Sequence, residues 1–139
     1  MEIQTREFGI DDYDAAVDLW SRVEGLDVAE GDDRETIRRF LARNPGLSRV
    51  ATDESKIVGA VLCGHDGRRG YIYHLAIDPA YERRGLGRRL IDECLAGLKR
   101  AGLERANILV AQDNLRGRKF WRRCGWEDLK AAAAMGRDV

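Results

Sequence analysis

The stretch Tyr71-Ile72-Tyr73-His74-Leu75-Ala76-Ile77-Asp78-Pro79-Ala80-Tyr81-Glu82-Arg83-Arg84-Gly85-Leu86-Gly87-Arg88-Arg89-Leu90 decides the fold. Its first seven residues are β-branched, aromatic and apolar, the signature of a strand. Asp78-Pro79 ends that strand, because proline has no backbone donor for a ladder. Two glycines and four arginines follow, and a helix begins among them. Glycine lets backbone approach a ligand closely, and the free N–H groups and positive end of a helix N-terminus favour phosphate oxygens. An ordinary glycine turn into a basic helix would carry the same residues on turn chemistry alone. A P-loop would need Gly-Lys-Ser/Thr, and a dinucleotide fingerprint would need a third glycine where Leu90 stands. Both are excluded.

The elements on either side follow from pattern. Upstream, Ile3 to Arg6 alternates as a strand. Asp11 or Asp12 caps a helix with Ala16, Leu19, Trp20 and Val23 inward, closing at Gly25. After the loop LDVAEGDD, Asp32 or Asp33 starts a second helix with Ile37, Phe40 and Leu41 on one face, ending before Asn44-Pro45-Gly46. Strands are expected over 47–51 and 56–62 around the turn Asp53-Glu54-Ser55, then over 71–77 after the turn at 65–70. Downstream come a helix over 88–99 stopped by Gly102, a strand over 106–111, a helix over 114–123 ending at Gly125, and further strand in 126–135. The order β-α-α-β-β-β-α-β-α-β describes one mixed α/β domain over residues 1–139, antiparallel in its first half and parallel or splayed across 71–111.

Composition narrows the function classes. In 139 residues, 24 basic and 24 acidic side chains cancel. A chain of zero net charge is poorly suited to nucleic acid, whose binding rests on neutralising phosphates. The positive charge at Arg83, Arg84, Arg88 and Arg89 is therefore local. No run approaches the roughly 20 apolar residues of a membrane span, and MEIQTREF does not read as a signal peptide. Cys63, Cys94 and Cys124 are odd in number and contain no CxxC pair. With only two histidines they make no metal site and read as reduced thiols of a cytoplasmic protein.

In this context the central stretch resembles the GNAT superfamily of acyl-CoA-dependent N-acetyltransferases. The family's phosphate motif, Gln/Arg-x-x-Gly-x-Gly/Ala after a strand ending apolar-x-apolar-Asp-Pro, is matched by Leu75-Ala76-Ile77-Asp78-Pro79 and Glu82-Arg83-Arg84-Gly85-Leu86-Gly87. A second signature is matched by Asn114, Gly117, Phe120-Trp121 and Gly125-Trp126. The resemblance implies strands 71–77 and 106–111 splayed around the pantetheine arm of acetyl-CoA. Backbone groups of Leu75, Ala76 and Ile77 would pair with that arm, amides from Arg83 to Arg88 would hold the pyrophosphate, and Asn114 and Trp121 would lie beside the pantetheine and thioester. Three positions depart from the pattern. Glu82 replaces the first Gln or Arg and is expected to face solvent. Trp121 stands where many members carry a tyrosine acid. The glutamate some members use near position 71 is missing.

Acetyl transfer to an amine needs a neutral nucleophile, a polarised carbonyl and a route for the proton. Strict strand alternation puts Tyr71 and Tyr73 on one face and His74 on the other. His74 has the better acid–base chemistry; Tyr73, on the face of the missing glutamate, suits orientation of substrate or water. Packing within the core or sheet is the plainer role for each. The loop between the first two helices carries Glu24, Asp27, Glu30, Asp32 and Asp33, an acidic rim that would attract a cationic amine on a small molecule, peptide or protein. For Asp32, Asp33 and Glu35 stabilising the start of the second helix is the plainer role, whereas Asp27 and Glu30 have no such local role. The expectation is an N-acetyltransferase acting by direct transfer in a ternary complex, with an acyl-CoA-binding sensor as the alternative. An edge strand in the tail would favour a homodimer.

Overall fold

The computed structural model describes residues 2–23 and 25–139 and divides into two compact units, Met1–Ile108 and Leu109–Val139. The first unit carries the sheet. Strand β1 (Ile3–Glu7) leads through a short 3-10 turn into helix α1 (Tyr13–Arg22), then α2 (Arg34–Arg43), β2 (Arg49–Asp53), β3 (Lys56–His65), β4 (Gly70–Ile77), α3 (Leu86–Arg100) and β5 (Ala106–Asn107). The spatial order is β1-β2-β3-β4-β5, antiparallel from β1 to β4 and parallel between β4 and β5. This is the mixed α/β fold class that the sequence implies.

Alternation along the strands sorts the core onto two faces. Ala60, Leu62 and Ala76 pack with Phe8, Leu19, Trp20 and Ile37, on the side of α1 and α2. On the other side a Cβ at Gly59 would meet Ile77 and Leu90, and one at Gly70 would meet Leu98, which marks the face covered by α3. Leu19, Trp20, Leu90 and Ile91 are all fully or almost fully buried, each such side chain contributing about 1.5–3 kcal/mol of transfer free energy.

Local chemistry sets where the helices start. Asp33 caps α2, its carboxylate accepting from the Thr36 N–H and hydroxyl. Asp12 precedes α1 but turns back, accepting the Gly9 N–H at 2.9 Å and a two-point bond from Arg6 at 2.8 and 2.9 Å. The acidic run 11–12 thus makes a 3-10 turn before the helix, where the sequence suggests a simple cap.

Two β4 features position the site. The β4–β5 ladder holds only Gly70 opposite Ala106 and Tyr71 opposite Asn107. Among the described residues no strand pairs with β4 on that edge beyond Tyr71, so the ladder ends there. In addition, Tyr73 pairs with Leu62 and Ala76 with Ala60, so Val61 of β3 faces both His74 and Leu75. That is a β-bulge, and His74 sits at φ +53 within it.

In the second unit, α4 (Leu115–Arg123) is capped by Asn114 and closed by Gly125 at φ +93, with the Trp126 N–H donating to the Trp121 carbonyl. The strand expected over 126–135 does not form: those residues are turn and irregular chain, without an edge strand to pair with a second copy. The strand expected over 106–111 is likewise cut to two residues. Apolar composition without a neighbouring ladder does not make a strand.

Gly70 lies where β4 and β5 pair, and an added Cβ would come within 2.4 Å of the Leu98 side chain. Gly70→Ala is expected to cost about 1–3 kcal/mol by overpacking, measured by urea unfolding, with partial recovery when Leu98 is shortened to valine.

Candidate active site

The bulge decides which side chains meet. In an unbroken strand His74 would point toward α3, as strict alternation predicts. The extra residue returns it to the face of Tyr73. There the His74 ring lies 5.0 Å from the Trp20 ring of α1, while the Tyr73 ring stacks on Tyr71 at 6.0 Å and meets the edge of Phe40 of α2 at 6.2 Å. The expectation of opposite faces is thus corrected: Tyr73 and His74 share one face.

His74 Nε2 is 2.9 Å from Asp32 Oδ2, and the two side chains keep 21% and 13% of their surface exposed. Asp32 is fixed in turn. The same Oδ2 accepts the Ala29 N–H at 3.0 Å, and the Asp32 carbonyl accepts the Tyr13 hydroxyl at 2.6 Å. Of the acidic residues in that loop, Asp33 is the cap and Glu35 pairs with Arg38, while Asp32 is turned inward to His74. Asp27 and Glu30 are exposed, and Glu24 lies outside the described residues. The Trp20 indole N–H, beside this pair, is buried with no partner among the described residues.

Tyr73 is 37% exposed. Burial, with Tyr71 and Asp66 nearby, raises its hydroxyl above the ordinary range. A hydroxyl that is harder to ionise can donate a hydrogen bond but is a poor base, which fits orientation rather than proton abstraction.

Beyond Tyr71 the free edge of β4 carries the backbone of Leu75, Ala76 and Ile77. Asp78 then turns the chain: it accepts the Ala80 N–H at 2.9 Å and is nearly buried between Arg22 and Lys56, at 3.7 and 3.8 Å. The loop beyond holds Arg83 at φ +64 and Gly85 at φ +76, and no side chain caps α3. The first intrahelical donor there is Arg89, to Gly85. The N–H groups of Leu86, Gly87 and Arg88 are therefore left in the geometry that suits an anion. Arg83 and Arg88 are exposed, Arg84 lies over the Tyr81 ring at 5.1 Å, and Arg89 turns away to the Ile3 carbonyl and Glu93. Glu82 is exposed, as expected.

In the second unit, Asn114 Oδ1 accepts the Gly117 N–H at 3.0 Å. A Cβ at Gly117 would come within 2.5 Å of that amide, which explains the glycine three residues on. Trp121 packs edge-on against Phe120 and Trp126. Cys63 and Cys94 are buried in the first unit, and the Cys94 thiol is pushed far up by its hydrogen bond with Cys63 and by burial, which rules it out as a nucleophile.

A free strand edge leading into an uncapped, glycine-led helix start suits an extended arm that ends in an anion. The acetyltransferase (GNAT) family model matches residues 13–126, and the chain belongs to that family. An acetyltransferase from Pectobacterium atrosepticum is 34% identical over 112 residues, spanning 81% of this chain and 79% of that protein. Among solved structures the fold is similar to Ard1 from Thermoplasma volcanium, with TM-score 0.78, 19% identity and coverage of 90% and 82%. It is also similar to the PaiA N-acetyltransferase from Thermoplasma acidophilum, solved with coenzyme A, with TM-score 0.75, 18% identity and coverage of 88% of each chain. The protein is an acyltransferase of this family, and enzymes of the family use acetyl-CoA. No helix among the described residues is long and apolar enough to cross a membrane.

The hydroxyls of Tyr13, Tyr73 and Tyr81 are all raised, Tyr13 and Tyr73 chiefly by burial and Tyr81 chiefly by its bond to Asp53. A folded-state pKa above the unfolded one holds its proton longer in the native state, so this stability is complete below pH ~10 and lost as pH rises through the folded values. Tyrosinate absorbance of the native protein near pH 10 should therefore fall below that of the urea-unfolded chain, and Tyr73→Phe should narrow the difference.

Proposed function

We propose that the protein transfers an acetyl group from acetyl-CoA to a primary amine by direct attack in a ternary complex. The observation that carries this reading is the continuity of the free β4 edge with the uncapped start of α3. Leu75, Ala76 and Ile77 offer backbone groups to the amide-rich pantetheine arm. Amides and side chains across Arg83, Arg84, Gly85, Leu86, Gly87 and Arg88 receive the pyrophosphate. Asn114 and Trp121 of the second unit carry over only the motif's roles, an amide donor and an apolar surface, and Asn114 Oδ1 is already used by its own helix. The coenzyme A complex of the Thermoplasma acidophilum relative supports the same use of the fold.

The acceptor approaches from the α1–α2 face, where exposed Asp27 and Glu30 favour a cation. An acceptor ammonium gives one proton to His74 and becomes a neutral amine. Its nitrogen attacks the thioester carbon, a backbone N–H in the bulge polarises the carbonyl oxygen, and the C–S bond breaks. The amine's second proton leaves with the CoA thiolate, giving an amide and free CoA thiol. No protein acid is required, since a thiol of pKa near ~8.5 is already a fair leaving group. Tyr73 orients the acceptor. Buried thiols leave no cysteine in this unit for a covalent acetyl-enzyme.

Calorimetric titration of acetyl-CoA should show micromolar binding, weakened with dephospho-CoA and abolished when Gly87 is replaced by tryptophan. No binding to the intact protein would overturn the reading. On an amine that supports turnover, followed by thiol release, His74→Gln should lower kcat by ~10²–10⁴ and leave acetyl-CoA affinity within threefold. Unchanged turnover would remove His74 from the mechanism.

A further inference from the structure

The geometry points to Asp32 as the positioning residue of the active site: it fixes the His74 imidazole with its proton on Nε2, leaving Nδ1 bare to take the acceptor's proton. The inference deepens the proposed function and rests on His74 being the base.

Three observations carry it. First, the contact is specific, Nε2 to Oδ2 at 2.9 Å between two largely buried side chains. An ionised carboxylate only accepts, so the nitrogen facing it must be the protonated one. Second, neither partner is free to move. Asp32 is held by the Ala29 N–H and by the Tyr13 hydroxyl on its carbonyl, and His74 is held by the bulge and by Trp20. Third, helix capping does not account for the contact. Asp33, the next residue, already caps α2, and a strand residue at φ +53 is a strained place for a histidine that merely fills space.

The proton balance is simple. Nδ1 accepts one proton from the acceptor ammonium, Nε2 keeps its own, and the imidazolium so formed lies against the Asp32 carboxylate, which stays ionised. This is the division of labour of an orienting carboxylate and a histidine base, assembled here between a helix–helix loop and a strand bulge.

The molecule provides its own reference. Its other histidine, His65, accepts the Gly67 N–H on Nδ1 at 3.0 Å and is therefore also protonated on Nε2. In the full-length protein, with both rings neutral, long-range 15N–1H correlation spectra should show two bare, pyridine-type Nδ1 signals. Asp32→Ala should shift His74 toward a mixture of tautomers while His65 stays fixed. The same variant should lower kcat at least tenfold, with KM for acetyl-CoA and for the amine within threefold, and Asp32→Glu should restore part of kcat. Thr36→Val, which removes the hydroxyl bond at the start of α2 without touching His74, should lower Tm but leave tautomer and kcat unchanged. A wild-type His74 protonated on Nδ1, an unmoved tautomer in Asp32→Ala, or a loss confined to KM for the amine would each overturn the assignment. The ring-nitrogen signals decide it even if no amine is turned over, a result that would instead defeat the proposed function.

Discussion

One extra residue in β4 governs the site. Opposite Val61 the strand carries both His74 and Leu75, and the left-handed backbone at His74 costs about 1–2 kcal/mol for a residue with a side chain. Core packing on both sides over-determines it: Tyr73 is placed by Phe40 and Tyr71, while Ala76 lies in the cluster around Trp20. Strand register must therefore be made up between residues 73 and 76, and the imidazole is the group brought across. The same irregularity releases backbone from the β3 ladder, where a polarising N–H has most use.

The bulge also explains why the loop between α1 and α2 belongs to the chemistry. That loop packs Val23 and Leu26 against the core and is further anchored by polar contacts, Tyr13 to Asp32 and Asp32 to both Ala29 and His74. Its order thus depends on the strand it covers. Charge is divided in the same economical way within a chain of zero net charge. Exposed carboxylates sit on the loop over His74 and arginines gather at the start of α3, so the two segments suit a cation and an anion.

Much of this was legible in the sequence, for physical reasons that differ by element. The glycine–arginine turn announced itself because few backbones need Gly85-Leu86-Gly87 ahead of a helix. The periodic apolar residues of α1, α2 and α3 gave those helices within a few residues. Family resemblance supplied the second motif and the expectation of acetyl-CoA. What could not be read was non-local. Nothing in Tyr71 to Ile77 distinguishes a bulged strand from a regular one, since the extra residue is defined only against β3, and so strict alternation puts His74 on the wrong face. Asp32 and Asp33 were equivalent as caps on local grounds. Only the fold shows that one cap suffices and the other carboxylate is turned inward. The apolar tail read as strand because propensity ignores whether a partner ladder is available.

The β4 edge left open after Tyr71 has a consequence for the life of the protein in solution. An unpaired row of backbone donors and acceptors is a template for any extended chain that reaches it, including the same segment of another molecule. A bound co-substrate arm lying there would act as a removable sixth strand, shielding the edge while raising the cost of unfolding in proportion to the logarithm of its concentration. Turnover and colloidal stability would then draw on one pool of ligand, and a starved enzyme would be at once idle and adhesive.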